Sequence, residues 1–173
     1  MKRHLACAAA ALLIAAGQPV AGNAADLVST QKLAWRVAAA LATDAVDICE
    51  RRGFSVTASV VDAAGLEQAL VKSDAAHPQS VTIAYRKAYT AMAYGGLFRM
   101  NSTGEIAAAL PQLAAGPLNT VPGVLIVAGG VTIRSGETVI GGLGVSGAPG
   151  GDKDEACART ALQNIIERLQ PKQ

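Results

Sequence analysis

Residues 72 to 94 concentrate side chains that can do chemistry: Lys72, Asp74, His77, Ser80, Lys87, Thr90 and Tyr94. Ser80, Ile83, Lys87, Thr90 and Tyr94 follow one another at steps of three and four, so a helix would carry them in one stripe. A line of Ser, Lys, Thr and Tyr offers hydrogen bonds and one cation to a ligand. The same line can equally be a solvated face, with Lys87 stretched over apolar neighbours. If Lys87 is buried, its pKa can fall far enough for general-base work in a lyase or isomerase, with Asp74 or Ser80 orienting it.

Other constellations carry less. Asp74, His77 and Ser80 are the residue types of a hydrolase triad, but their local spacing at one helix start does not let an imidazole lie between acid and nucleophile, and no G-x-S-x-G elbow exists. A capping role for Asp74 or His77 fits better. Gly142-Leu143-Gly144-Val145-Ser146-Gly147 matches G-x-G-x-x-G, yet the helix that follows opens with Asp152, Asp154 and Glu155, which repel a pyrophosphate. Close backbone packing is the better reading of these glycines. With two histidines and three cysteines far apart, the chain has no zinc spacing.

The elements that must position these residues read clearly from periodicity. Thr30–Arg51 has apolar residues at helical spacing and stops at Gly53. Residues 55–62 and 67–72 alternate around Ala63-Ala64-Gly65, predicting a hairpin. A second helix is predicted from Pro78 to the Gly95-Gly96 pair. Ser102 or Thr103 caps a short helix over residues 105–110, closed by Pro111 and followed by an irregular loop. Three strands follow, over residues 123–128, 131–134 and 138–145, with Gly129-Gly130 as a tight turn. Asp152 then caps a last helix reaching to about Leu169. The order α-β-β-α-α-β-β-β-α predicts an α/β sandwich: a five-stranded, mainly antiparallel sheet in a profilin-like three-layer arrangement. The helix faces are rich in alanine, which makes a thin core and favours oligomerisation.

At 173 residues, 51% hydrophobic and 16% charged, the chain holds one domain. Lys2-Arg3-His4, the apolar run from Leu5 to Ala16 and the small residues around Ala24 have the form of a secretory signal, so residues 1–24 are expected to be removed and residues 25–173 to form the exported domain, periplasmic or extracellular. No later stretch is long and apolar enough to insert in a membrane. The remaining charges balance at 13 against 13 and are scattered, which excludes a charge-driven nucleic-acid partner. Removal of Cys7 with the signal leaves Cys49 and Cys157, either bridged or present as two buried thiols.

From Asp62 onward the chain resembles the GlcG/HbpS family, which is also similar to the C-terminal domain of one class of corrinoid adenosyltransferase. Four stretches carry the resemblance: Val60-Val61-Asp62-Ala63-Ala64-Gly65; Pro78-Gln79-Ser80 with Arg86-Lys87-Ala88-Tyr89-Thr90-Ala91; Val121-Pro122-Gly123 through Val127-Ala128-Gly129-Gly130; and Gly141 through Asp152 with Asp154-Glu155. The last, a glycine-rich strand end, a proline and an acidic helix start, is the most specific. The resemblance implies an α/β fold, a homo-oligomer built from dimers up to an octamer, and haem as ligand, with a membrane sensor protein as a further partner. It also admits haem degradation using Lys87, or a structural or sensor-partner role without ligand. Haem needs an axial donor; His77 lies just before the matched Pro78-Gln79-Ser80, its use as iron ligand would be peculiar to this chain, and Tyr85, Tyr89, Tyr94, Met92 and Met100 are further candidate donors. The ligand site is expected between Lys72 and Asp74, the stripe of the second helix, and the loop before Gly123.

Overall fold

The computed structural model describes residues 28–166. In chain order the elements are α1 (Trp35–Arg51), β1 (Thr57–Asp62), β2 (Glu67–Lys72), α2 (Gln79–Phe98), α3 (Thr103–Ala109), α4 (Pro111–Ala114), a 3-10 turn (Pro117–Thr120), β3 (Gly130–Ser135), β4 (Thr138–Ser146) and α5 (Gly151–Ile165). The strands form one antiparallel sheet in the order β2-β1-β4-β3.

Alternation along the strands separates two unlike faces. Ala58, Val60, Val131, Ile133, Leu143 and Val145 join the main core with α1 and α5, whose Leu41, Ala45, Ile48, Ala158 and Ala161 recur at helical spacing. Each large apolar side chain fully buried here contributes about 1.5 to 3 kcal/mol. Cys49 of α1 and Cys157 of α5 are joined, with Cα atoms 5.6 Å apart. Closing a loop with a sequence separation of 108 contributes about 4 to 5 kcal/mol on the chain-entropy model.

The other face is paved with small residues. Gly130, Gly142 and Gly144 lie side by side in the register, flanked by Thr132, Ser59 and Ser146. Helix α2 rests directly on them: a Cβ at Gly142 would overlap the carbonyl oxygen of Ala88, and one at Gly144 that of Ala84. Ala84, Ala88 and Ala91 complete the contact on the helix side.

Four features differ from expectation. The sheet has four strands, not five, because residues 123–128 are not paired in a ladder; their polar groups are satisfied by α2 and its cover. Leu125 N–H donates to Thr90 Oγ1 (2.7 Å), Ile126 N–H to Asn119 Oδ1 (2.8 Å), and the Arg86 guanidinium donates to the carbonyl oxygen of Val124. Helix α1 begins at Trp35, since Leu33 is drawn into the core and its carbonyl accepts from Gln68 Nε2. Helix α2 runs through Gly95-Gly96 to Phe98: Gly95 is there because Thr132 occupies the space of its Cβ, and Arg99, in the left-handed conformation, ends the helix. Asp152 is not the cap of α5, which starts after Gly150 (φ +140°) without a capping side chain. Ser102 does cap α3, accepting from Glu105 N–H at 3.1 Å.

If backbone contact through the glycines holds the two layers together, Gly144→Ala should force α2 off the sheet and cost about 3 kcal/mol or more. Urea unfolding monitored by circular dichroism checks this.

Candidate functional site

The stripe on α2 faces inward along most of its length. Ser80 and Thr90 are fully buried. Ser80 Oγ lies 2.6 Å from Thr57 Oγ1 and donates to the carbonyl of His77; Thr90 Oγ1 donates to Arg86 O while accepting from Leu125 N–H. Tyr94 is half-buried and stacks on Phe98 with ring centroids 5.8 Å apart. Lys87 is 3% exposed, and its Nζ donates to Asp154 Oδ2 at 2.8 Å and to the carbonyl of Val145 at 3.0 Å.

Around Lys87 a polar network, buried at Lys87, Asp154 and Glu155 and open to solvent at Arg159 and Glu105, joins four parts of the fold. Asp154 accepts the Ala148 N–H at 2.9 Å through its other oxygen, which fixes the glycine-rich turn before α5. Glu155, the next residue, accepts N–H donors from Gly104 (2.9 Å) and Gly129 (3.1 Å) with Oε2, and Arg159 with Oε1. Arg159 Nη2 continues to Ser102 Oγ and Glu105 Oε1, both at 2.7 Å, and Glu105 Oε2 accepts the Asn101 N–H. Glu155 and Arg159 meet because they are four apart on α5. The sequence reading placed Asp154 and Glu155 in a motif but missed them, and Ser102, Glu105 and Arg159, as partners of this network. Two adjacent acids at a helix start, directly after a strand that packs on the lysine's helix, were the available signal.

The remaining expected site residues lie apart from this network, on the surface. Lys72, the last residue of β2, and Asp74 and His77, on the segment between β2 and α2, are exposed. Lys72 Nζ donates to the carbonyl of Ser73 at 3.0 Å, and His77 Nδ1 lies 3.3 Å from Gln79 Oε1. Lys87 and His77 are therefore not brought into one pocket. Among the described residues no group of three or more His, Cys, Asp or Glu is placed to hold a metal ion. Of the glycines of the G-x-G-x-x-G pattern, Gly142 and Gly144 lie against the α2 backbone and Gly147 against the backbone of Ser55 and Val56, which leaves no room there for a phosphate.

Chemically, the network holds buried charges against backbone groups of Gly104, Gly129, Val145 and Ala148. Burial pushes the Asp154 carboxyl up, and the charge of Lys87 and the Ala148 N–H oppose this without cancelling it. A carboxyl raised on folding weakens stability above its folded pKa and restores it as pH falls through that value. The buried pair thus confers placement more than stability, as such pairs do when desolvation outweighs attraction. Lys87→Met, which strands Asp154, should cost about 3 to 5 kcal/mol, whereas Lys87→Met with Asp154→Leu should recover most of it, read by chemical denaturation. Glu105 behaves oppositely. Burial pushes it up, but the Asn101 N–H and the Arg159 hydrogen bond and charge outweigh this and hold it below the usual 4.5. Its contribution is present above pH 4.5 and lost as pH falls through the lower folded value. Glu105→Gln should therefore lower Tm at pH 7 and make little difference once the wild-type carboxyl is itself protonated.

Comparison with known proteins places this arrangement. A family model described as haem degrading protein HbpS-like matches residues 30–163. A double mutant of HbpS from Streptomyces reticuli is 35% identical, with 87% of this chain and 98% of that one covered and a TM-score of 0.75. The PduOC:heme complex is 28% identical over 78% of this chain and 96% of that one, with a TM-score of 0.67. Protein ORFY of Klebsiella pneumoniae is 26% identical over 81% and 94%, at a TM-score of 0.70. No curated protein matches significantly. With a family model spanning nearly the whole folded domain and the resemblance of its four motifs, the chain belongs to the HbpS-like family.

Proposed function

We propose that this protein is an exported, oligomeric haem-binding protein. The observation that carries this reading is its similarity, over 78% of its length, to a PduOC structure that is a complex with haem. The interior gives Lys87 a structural part, with its Nζ enclosed between Asp154 and the Val145 carbonyl and away from solvent. Export rests on the form of residues 1–24, which lie outside the described residues, and the Cys49–Cys157 bridge suits an oxidising compartment.

The iron ligand we favour is His77. It is exposed, and the other histidine, His4, belongs to the segment read as a signal. Lys72 and Asp74 flank it on the same segment, and the Lys72 ammonium is suited to a propionate. An exposed single ligand fits a haem held between protomers, where a second copy supplies the apolar cover that His77 lacks on its own.

A second reading, haem degradation, is favoured by the description of the matching family. The same experiment separates the two. The signal-free protein titrated with haemin should give a saturable Soret shift, and His77→Ala should alter the band and weaken binding about tenfold, roughly 1.4 kcal/mol. Unsaturable absorption alone would overturn haem binding, and an unchanged titration with His77→Ala would overturn the ligand assignment. Loss of the Soret band with iron release under ascorbate and air would replace binding by degradation.

A further inference from the structure

The sheet edge opposite β2 carries a feature that the haem reading does not use. A groove of about 340 Å³ lies between β3 and the C-terminal half of α5. Val131, Leu162 and Ile166 make its apolar wall; Arg134, Arg159 and Gln163 stand around it.

The two arginines differ in charge balance. Arg159 is neutralised by Glu105 and Glu155, at 2.7 and 2.9 Å. Arg134 has no carboxylate within salt-bridge distance among the described residues. Backbone carbonyls hold it instead: Nη2 donates to Gly95 O at 2.9 Å and Nη1 to Glu137 O at 3.2 Å. These bonds fix the plane of the guanidinium without cancelling its charge, and the fork's other N–H donors have no partner among the described residues. The group is half-buried, where attraction for an anion is screened less than in open solvent. Its orientation is set before any ligand arrives, so little ordering cost remains to be met on binding.

We propose that this groove binds a small monocarboxylate with an apolar body, its carboxylate on Arg134 and its body against Val131, Leu162 and Ile166. One positive charge with no ion-pair partner among the described residues matches one negative charge, and the Glu105 and Glu155 carboxylates around Arg159 disfavour a dianion such as phosphate. The planar fork matches a carboxylate in shape as well. The cavity is of the size that small-molecule sites occupy, roughly 300 to 1,000 Å³. The site is independent of His77, which lies beyond the other edge of the sheet.

The test is an amide NMR titration of the signal-free protein with cyclohexanecarboxylate, with neutral cyclohexanemethanol as control. Saturable shifts should appear at Val131, Gly136 and Leu162, with the alcohol at least tenfold weaker. Arg134→Gln should weaken the acid at least tenfold. Because Arg134→Gln also releases Gly95 and Glu137, Gln163→Glu provides a second variant: it leaves Arg134 in place, sits on the exposed rim and should also weaken the acid. Absence of saturable shifts in the groove, equal affinity for acid and alcohol, or wild-type affinity in both variants would overturn the proposal.

Discussion

The closeness of α2 to the sheet is the constraint on which the rest of this structure depends. Three neighbouring glycines on adjacent strands, Gly130, Gly142 and Gly144, let helix backbone touch strand backbone. At ordinary spacing, a lysine on that helix reaches water or a neighbouring apolar side chain. Here Lys87 is brought so near the sheet that its Nζ passes beside Gly129 and meets the carbonyl of Val145. A cation in that position must have a counter-charge, and Asp154 at the start of α5 provides it. The glycine surface and the acidic helix start are thus two halves of one requirement.

This coupling explains why the irregular parts of the chain are well anchored. Asp154 fixes the turn at Ala148, Glu155 fixes Gly104 and Gly129, and Arg159 ties in Ser102 and Glu105. Residues 121–128 have no ladder, yet Thr90, Asn119 and Arg86 hold their backbone. Side chains replace strand pairing in the quarter of the fold where α2, α3 and α5 converge. Such partnered groups make this part of the fold a scaffold.

Much of this was legible from residue order. The 3.6-residue period of α1 and α2 and the alternation in β1, β2 and β4 gave the elements and their layers, and Ser102 announced α3. The stripe of Ser80, Lys87 and Thr90 was also visible, but periodicity gives a line and not its direction. Polar residues on a helix ordinarily face solvent; these face inward because glycines on the opposing strands make room for them. The position of Gly142 and Gly144 at alternate sites of β4, on the same side as Thr57 and Ser59, was the signal for that burial. Residues 123–128 misled for a related reason. Their apolar, β-branched composition reads as a strand, but the partners that decide the matter are polar side chains and not a second strand: Thr90, on α2, and Asn119, in the turn just before the segment.

The bridge between Cys49 and Cys157 joins the first and last helices of the domain, so the described chain is closed into a covalent ring through nearly all of its sheet and loops. A single peptide cleavage anywhere between those cysteines, including the exposed turns at residues 63–66 and 115–122, leaves one molecule and not two fragments. The severed ends stay near each other because α1 and α5 pack together around the bridge and α2 remains seated on its glycines. A cut that would separate an unbridged domain into two pieces becomes a nick in a single covalent molecule.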